Sequence, residues 1–119
     1  MDLRDEILGI KDCGEKVVTV PQWNGVKVLV KAFTAGTRYD MITQCSTVKD
    51  GEAEVNGKKL MIHTVIETAC DPKTGEKLFT VADYEALLAK NPGAIELLAT
   101  TANQLSGTGA DSVEDAEKN

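Results

Sequence analysis

Aromatic residues are scarce in this chain. Phe, Trp and Tyr make up 4% of its 119 residues, whereas the hydrophobic share of 42% is near the norm for a globular protein. A chain of this length forms one domain and can bury a sizeable core. That core must therefore consist mainly of Val, Leu, Ile and Ala, and a second domain does not fit.

Long apolar runs and signs of export are also missing. No stretch approaches the roughly 20 apolar residues that a membrane-spanning helix needs. The first six residues lack the basic and apolar regions of a signal peptide. These absences predict a cytoplasmic protein without a membrane partner.

Cysteine and histidine are too few and too scattered for a familiar site. Cys13, Cys45 and Cys70 are odd in number and far apart, which argues against a disulfide framework and agrees with a reducing compartment. Structural zinc ligands usually come in close chelating pairs, but the nearest candidates here, His63 and Cys70, are seven positions apart. We expect free, mostly buried thiols and no bound metal.

Other catalytic patterns are absent as well. A Cys–His nucleophile pair needs a third group to orient the imidazole, and nothing beside His63 supplies one. The glycines form neither a phosphate-binding loop nor a dinucleotide fingerprint. The Asp71–Gly75 segment lacks the further oxygen ligands of a calcium loop. The sequence thus predicts no catalytic site, no metal and no cofactor, so the protein is not expected to be an enzyme.

The charge that is present is mostly negative, with a formal net charge of -6. Residues 1–60 carry nine basic and nine acidic residues, and residues 61–119 carry four and ten, so the excess lies in the second half. Nucleic acid is an unsuitable partner because binding phosphates requires a basic face. A basic or apolar protein surface is a better one.

Local patterns in the first third predict a short helix and a hairpin. Asp2 can cap a helix that ends before Gly14 and carries Leu3, Ile7 and Ile10 on one face. A β-branched strand then runs from Glu15 to Pro21, and a second spans residues 26–33. The Asn24-Gly25 pair between them is a strong turn signal, so the two strands should pair antiparallel.

The middle of the chain is less clear. Thr34 is suited to cap a helix that extends to about Ser46. The polar stretch from Lys49 to Lys59 predicts an exposed loop, with a small hairpin turning at Asn56-Gly57 as one option. Residues 60–69 have helical spacing but also many β-branched residues, so their pattern fits a helix or a strand.

A turn and a helix start follow one another without a gap between residues 69 and 83. Asp71-Pro72 interrupts what precedes it, and Gly75 closes the turn. Phe79, with Leu78, gives the turn an apolar anchor. Thr80 and Asp83 have the spacing of an N-cap and its reciprocal acceptor, which predicts a helix that begins at Val81.

Two helices complete the predicted domain. The first carries its apolar face on Val81, Tyr84, Leu87 and Leu88, and Asn91-Pro92 starts the second. The second helix carries Ile95, Leu98, Ala102 and Leu105, and Gly107 follows as its C′ residue. Residues 108–119 have too few apolar side chains to offset their ordering entropy. The fold class is therefore α+β: residues 1–107 form a domain with an N-terminal antiparallel hairpin, a small set of helices and a C-terminal helical hairpin, and residues 108–119 form a disordered acidic tail.

Trp23 is the only tryptophan and lies at the predicted hairpin tip. It can cover the edge of the core, or it can anchor a partner, since tryptophan is common at binding hot spots. The structural role is the favoured one, and both stay open at this point.

The turn segment resembles the tail assembly chaperones of long-tailed phages and prophages of Gram-positive hosts. The resemblance rests on Asp71-Pro72-x-Thr74-Gly75-Glu76-x-Leu78-Phe79-Thr80-x-x-Asp83-x-x-x-Leu87, and on the early order of strand, Trp23, Gly25 and strand. It covers most of the chain from Val17 to Leu105. Since the family places a helix before the turn, it favours a helix for residues 60–69.

The resemblance also implies a function. Members of this family are not enzymes; they bind the tape measure protein, help recruit tail tube subunits, act in the host cytoplasm and are absent from the mature virion. Two alternatives stay open: a structural tail or head-tail connector protein that remains in the virion, and a small regulatory or antitoxin-like binding protein. The oligomeric state does not follow from the sequence.

The predicted boundary after Gly107 has a direct test. Deletion of residues 108–119 should change the melting temperature by no more than about two degrees, because loss of a packed contact has effects on that scale or larger. A larger fall, measured by circular dichroism, would mean that part of the tail is packed.

Overall fold

A computed structural model describes residues 2–108. Within that range the chain forms an α+β domain of five α-helices and five strands. The helices are α1 (Leu3–Gly9), α2 (Ala35–Gln44), α3 (Gly57–Thr68), α4 (Tyr84–Leu88) and α5 (Pro92–Leu105). The strands are β1 (Glu15–Val20), β2 (Val26–Lys31), β3 (Ser46–Lys49), β4 (Glu52–Val55) and β5 (Ala69–Cys70).

The predicted N-terminal hairpin is confirmed. Strands β1 and β2 pair antiparallel, with Val18 opposite Val28, and the other edge of β2 pairs with β5. The resulting sheet has the order β1-β2-β5. Asn24 and Gly25 have φ values of 57° and 75°, the left-handed conformation that these two residue types adopt most readily. The turn chemistry therefore sets the strand register.

The ambiguous segment, residues 60–69, is helical up to Thr68, as the family resemblance implied. Its buried threonines do not break the helix, because their hydroxyls bond within it. The Thr64 hydroxyl donates to the carbonyl of Leu60 at 2.8 Å, and that of Thr68 donates to the carbonyl of Thr64 at 2.6 Å. Both threonine hydroxyls are thus satisfied, which offsets the cost of their burial.

The core lies between the three-stranded sheet and the helices α3 and α5. Helix α5 packs against α3 and against β1 and β2, and α3 also contacts α2 and α4. The core is aliphatic, as the scarcity of aromatic residues predicted. Its fully buried members include Val20, Val28, Val30, Val65, Ala69, Ala94, Leu98 and Ala102.

The hairpin turn predicted as an option at Asn56-Gly57 is wrong, because the hairpin in this region consists of β3 and β4 and spans residues 46–55. Strands β3 and β4 turn at Asp50-Gly51, where φ is 54° and 81°. Asn56 instead caps α3, since its side-chain oxygen accepts from the amide of Lys59 at 3.0 Å. The backbone closes the hairpin where the amide of Asn56 donates to the carbonyl of Cys45 at 2.8 Å.

Helix α1 forms as predicted, with the Asp2 carboxylate accepting from the amide of Asp5 at 2.8 Å. Its apolar side chains Leu3, Ile7 and Leu8 are nevertheless exposed, as is Ile10 at its C-cap. None of its residues belongs to the buried core. The periodicity predicted the helix correctly, but it did not show that the apolar face of the helix is exposed.

The second half follows its predicted caps closely. The helix expected from Val81 begins as a 3₁₀ turn over Val81–Asp83 and becomes α-helical at Tyr84, so Val81 is exposed rather than part of the apolar face. The side chain of Asn91 accepts from the amides of Gly93 and Ala94 at the start of α5. None of the helices in residues 2–108 is long and apolar enough to cross a membrane.

Helix α5 ends in a Schellman motif. Gly107 has a φ of 71°, and its amide donates to the carbonyl of Gln104 at 3.2 Å. The amide of Thr108 donates to the carbonyl of Asn103 at 2.9 Å, which completes the motif. The predicted tail of residues 108–119 thus begins with a hydrogen-bonded residue, and the rest of it lies outside the described range.

Leu98 provides a test of the core. Its side chain is fully buried at the contact of α5 with the sheet and α3. Leu98→Ala should lower the free energy of unfolding by about 2–5 kcal/mol, because it removes buried methyl groups and leaves a cavity. Chemical denaturation measures this loss.

Leu3→Ala is the matched control, since the same chemical change is made on a side chain that is 68% exposed. Its effect should stay within about 0.5 kcal/mol. Equal effects of the two substitutions would contradict the assignment of Leu98 to the core.

Candidate functional site

The histidine and cysteine side chains do not form a reactive cluster. Cys45 and Cys70 are buried, Cys13 is exposed, and all three are free. Among residues 2–108, no three His, Cys, Asp or Glu side chains converge as metal ligands would. Burial raises the pKa of the Cys45 thiol, and the charge of Lys59 opposes this shift. Since the thiolate is the nucleophilic form, Cys45 is poorly suited to attack a substrate.

Trp23 lies at the end of the 3₁₀ turn Pro21–Trp23 that links β1 and β2. The amide of Gly25 donates to the carbonyl of Val20 at 3.0 Å and closes this link. Trp23 is half-buried against the core. Its indole N–H is buried and has no hydrogen-bond partner within the described part of the chain. The side chain thus covers the edge of the core while leaving one donor unused.

The fold brings Trp23 and Phe79 to the same groove, although they are 56 positions apart. The groove has a volume of about 430 Å³ and is lined by Gln22, Trp23, Asn24, Phe79, Leu87 and Lys90. Both aromatic side chains pack partly on the core and are partly open. Two residues that the sequence singled out for separate reasons therefore share one surface.

The other residues singled out by the sequence build a rigid turn. The carbonyl of Asp71 accepts from the amide of Gly75 at 2.7 Å, and the Asp71 carboxylate accepts from the amide of Lys73 at 2.8 Å, with Pro72 between them. Gly75 has a φ of 76°. The ammonium of Lys31 donates to the carbonyl of Gly75 at 2.9 Å, which fastens the turn to β2.

The helix start after this turn also has its expected geometry. The carboxylate of Asp83 accepts from the amide of Thr80 at 2.8 Å, and the amide of Asp83 donates to the carbonyl of Thr80 at 2.9 Å. These bonds orient the 3₁₀ turn that leads into α4. Asp71, Pro72, Gly75, Thr80 and Asp83 hold the backbone, and none of them lines the groove at Trp23.

Two exposed apolar faces are better placed to meet a partner. One is the face of α1 described above. The other is on the β3–β4 hairpin, where Val48 lies opposite Ala53 and Ser46 lies opposite Val55. Alternate residues of a strand share a face, so these four side chains lie on one side of the hairpin. Val48 is 77% exposed, and a two-stranded sheet with such a face is marginal in water unless something covers it.

A third apolar surface is a cleft between α2 and α3, to which Asn103 of α5 also contributes. Its volume is about 140 Å³. It is lined by Phe33, Arg38, Met41, Ile42, Gly57, Leu60, Met61, Thr64 and Asn103. Arg38 is the one charged residue among them.

Sequence reasoning missed these surfaces. Helical spacing assigns a side chain such as Met41 or Met61 to an apolar face, but it does not show whether that face is covered. Met41 is buried, whereas Met61 is 37% exposed at the mouth of the cleft. Only the packing of α2 against α3 distinguishes the two.

Comparisons with known proteins agree with the fold described here. A family model described as phage tail assembly chaperone matches residues 9–119. Among solved structures, the chain is similar to the tail assembly chaperone of bacteriophage HK97, with 20% sequence identity and a TM-score of 0.55. That match covers 86% of this chain and 91% of the HK97 chain, and at this identity it supports the fold alone. No curated protein gives a significant match. Because the family model spans nearly all of the sequence, this protein belongs to the phage tail assembly chaperone family.

Proposed function

We propose that this protein binds the tape measure protein of its own phage in the host cytoplasm and helps recruit tail tube subunits to it. It acts by binding alone, without catalysis, and is absent from the mature virion. The observation that carries the proposal is the match of residues 9–119 to the tail assembly chaperone family. A chaperone of this type must shield apolar segments of a long protein until the tube surrounds them.

The surface of the domain supports this role. It exposes apolar side chains on α1, on the β3–β4 hairpin and at Met61, and such patches mark interaction sites in a folded protein. A net charge of -6 disfavours nucleic acid as a partner, and like charges on neighbouring copies favour solubility. Acidic charge and exposed apolar faces together are suited to holding an apolar partner in solution.

Trp23 is a second proposed partner contact, with less support than the exposed apolar faces. Its groove beside Phe79 is open, which supports binding, but its packing against the core supports a structural role equally. The alternative function, a structural tail or head-tail connector protein retained in the virion, uses the same fold and differs in where the protein is found after assembly.

Co-expression tests the proposed function. When the chain is produced together with the tape measure protein of the same genome, the soluble fraction of that protein should increase and the two should co-purify. A tape measure protein from an unrelated phage serves as the control and should stay insoluble. Quantitative mass spectrometry of purified virions should find no stoichiometric amount of this chain.

Two results would contradict the proposal. One is the absence of any complex on co-expression. The other is a fixed copy number of this chain in mature particles, which would favour the virion-component alternative.

A further inference from the structure

The cleft between α2 and α3 has the size of a single side-chain pocket. Its volume of about 140 Å³ is close to that of an engineered apolar cavity of about 150 Å³ that binds benzene. Its walls are mostly apolar, with Phe33, Met41 and Leu60 among them. A leucine, methionine or phenylalanine side chain of a partner therefore fits it, whereas a strongly hydrated group does not.

Methionine forms two parts of this cleft. Met41 is 4% exposed and forms part of the wall, whereas Met61 is 37% exposed at the mouth. Methionine has three rotatable bonds and a polarisable sulfur, and it is common on surfaces that adapt to several apolar partners. The mouth can therefore adjust to the side chain that enters.

The rim of the cleft is positive, in contrast to the protein as a whole. Arg38 lines the cleft, and Lys58 lies three residues before Met61, one turn away on the same side of α3. Within residues 2–108, neither cation has an ion-pair partner. The first turn of α3 contains no acidic residue, so the positive end of the helix dipole is not offset there. A carboxylate of a partner would complement this rim.

The secondary structure around the cleft also determines whether a partner can bind as an extended strand or as a helix. Phe33 apart, all lining residues lie on helices α2, α3 and α5. The cleft therefore offers no strand edge to an extended peptide. On α3 the lining residues Gly57, Leu60 and Thr64 form a stripe along one face. Recognition must come from side chains, as when an amphipathic helix lies in a groove.

We infer that this cleft binds an amphipathic helix of the tape measure protein. One apolar side chain of that helix enters the cleft past Met61, and a carboxylate about one turn away pairs with Arg38, which lines the cleft. The inference rests on the proposed function, because it names the face by which the same partner is bound. It assigns binding to α2 and α3 rather than to the groove at Trp23.

The test uses overlapping segments of the tape measure protein, each co-expressed with the full chain and captured through it. The captured segment is then titrated against variants of the chain. Met61→Glu places a charge at the mouth of the cleft and should weaken binding at least about tenfold, as expected for a central apolar contact. Met61→Leu keeps the apolar mouth and should bind within about threefold of the wild type.

Val81→Glu is the matched control for Met61→Glu. It adds the same charge at another exposed apolar position, one that is 63% exposed and does not line the cleft. It should leave binding unchanged. Thermal melting of each variant shows whether it is folded, and a folded Met61→Glu variant that binds like the wild type would overturn the inference.

A second comparison addresses the charged rim. Arg38→Gln should weaken binding by about two- to fivefold at low salt, and the difference should vanish as salt is added, because exposed ion pairs are weak and screened. Lys27→Gln, on the exposed end of β2, is the control and should have no effect. Equal effects of the two substitutions would show that only net charge matters and would count against a specific contact at the rim.

The outcomes separate this inference from the function on which it rests. If the wild-type chain captures no tape measure segment, the proposed function fails and the assignment of the cleft falls with it. If the wild type binds a segment and the Met61→Glu variant binds equally well, the function stands and the cleft is wrong. If Met61→Glu instead changes only the oligomeric state of the isolated protein, the cleft is a contact between copies of this chain. That result also contradicts the inference.

Discussion

The structure depends on the burial of α3. Its residues Ile62, Val65 and Ile66 are buried in the core, and the helix packs against α5, α2 and α4. At Thr68 the helix passes directly into β5, which pairs with β2. Because no loop separates the helix from the strand, the orientation of α3 and the register of the sheet are fixed together. The cleft with α2 takes its position from this unit, since four of its lining residues lie on α3.

Local chemistry predicted much of this fold. Asp2, Thr34 and Asn91 each cap the helix that the sequence assigned to them. Each is a short polar side chain whose oxygen accepts a hydrogen bond from a free amide in the first turn. The pair Asn24-Gly25 forms a turn, yet Asn56-Gly57 starts a helix. Asparagine can adopt a left-handed turn or accept an amide bond at a helix end. In this region both Asp50-Gly51 and Asn56-Gly57 are suited to a hairpin turn. The local sequence does not show which of the two pairs forms it.

The candidate site was much harder to predict. Trp23 and Phe79 each carried a local signal, but their shared groove requires the long-range packing of the β1–β2 link beside the turn before α4. The exposed state of Met61 and of the α1 face is likewise a property of what packs nearby. Periodicity describes one element at a time, so it shows that a face is apolar and not that it is left open. The function itself came from the resemblance of residues 71–87 rather than from any chemical group.

The β3–β4 hairpin has a further consequence for how the domain tolerates change. Its two ends meet at the bond between Asn56 and Cys45, and the hydroxyl of Ser46 at the start of β3 donates to the carbonyl of Ile42. The residues beyond these contacts are exposed, so the packing of the core does not depend on the length of the hairpin. Exposed tips of this kind accept inserted sequence at little cost to stability. The Asp50-Gly51 tip is therefore a suitable position for an epitope or a fluorescent label, and the hairpin is a segment whose length can vary between relatives while α2 and α3 keep their packing.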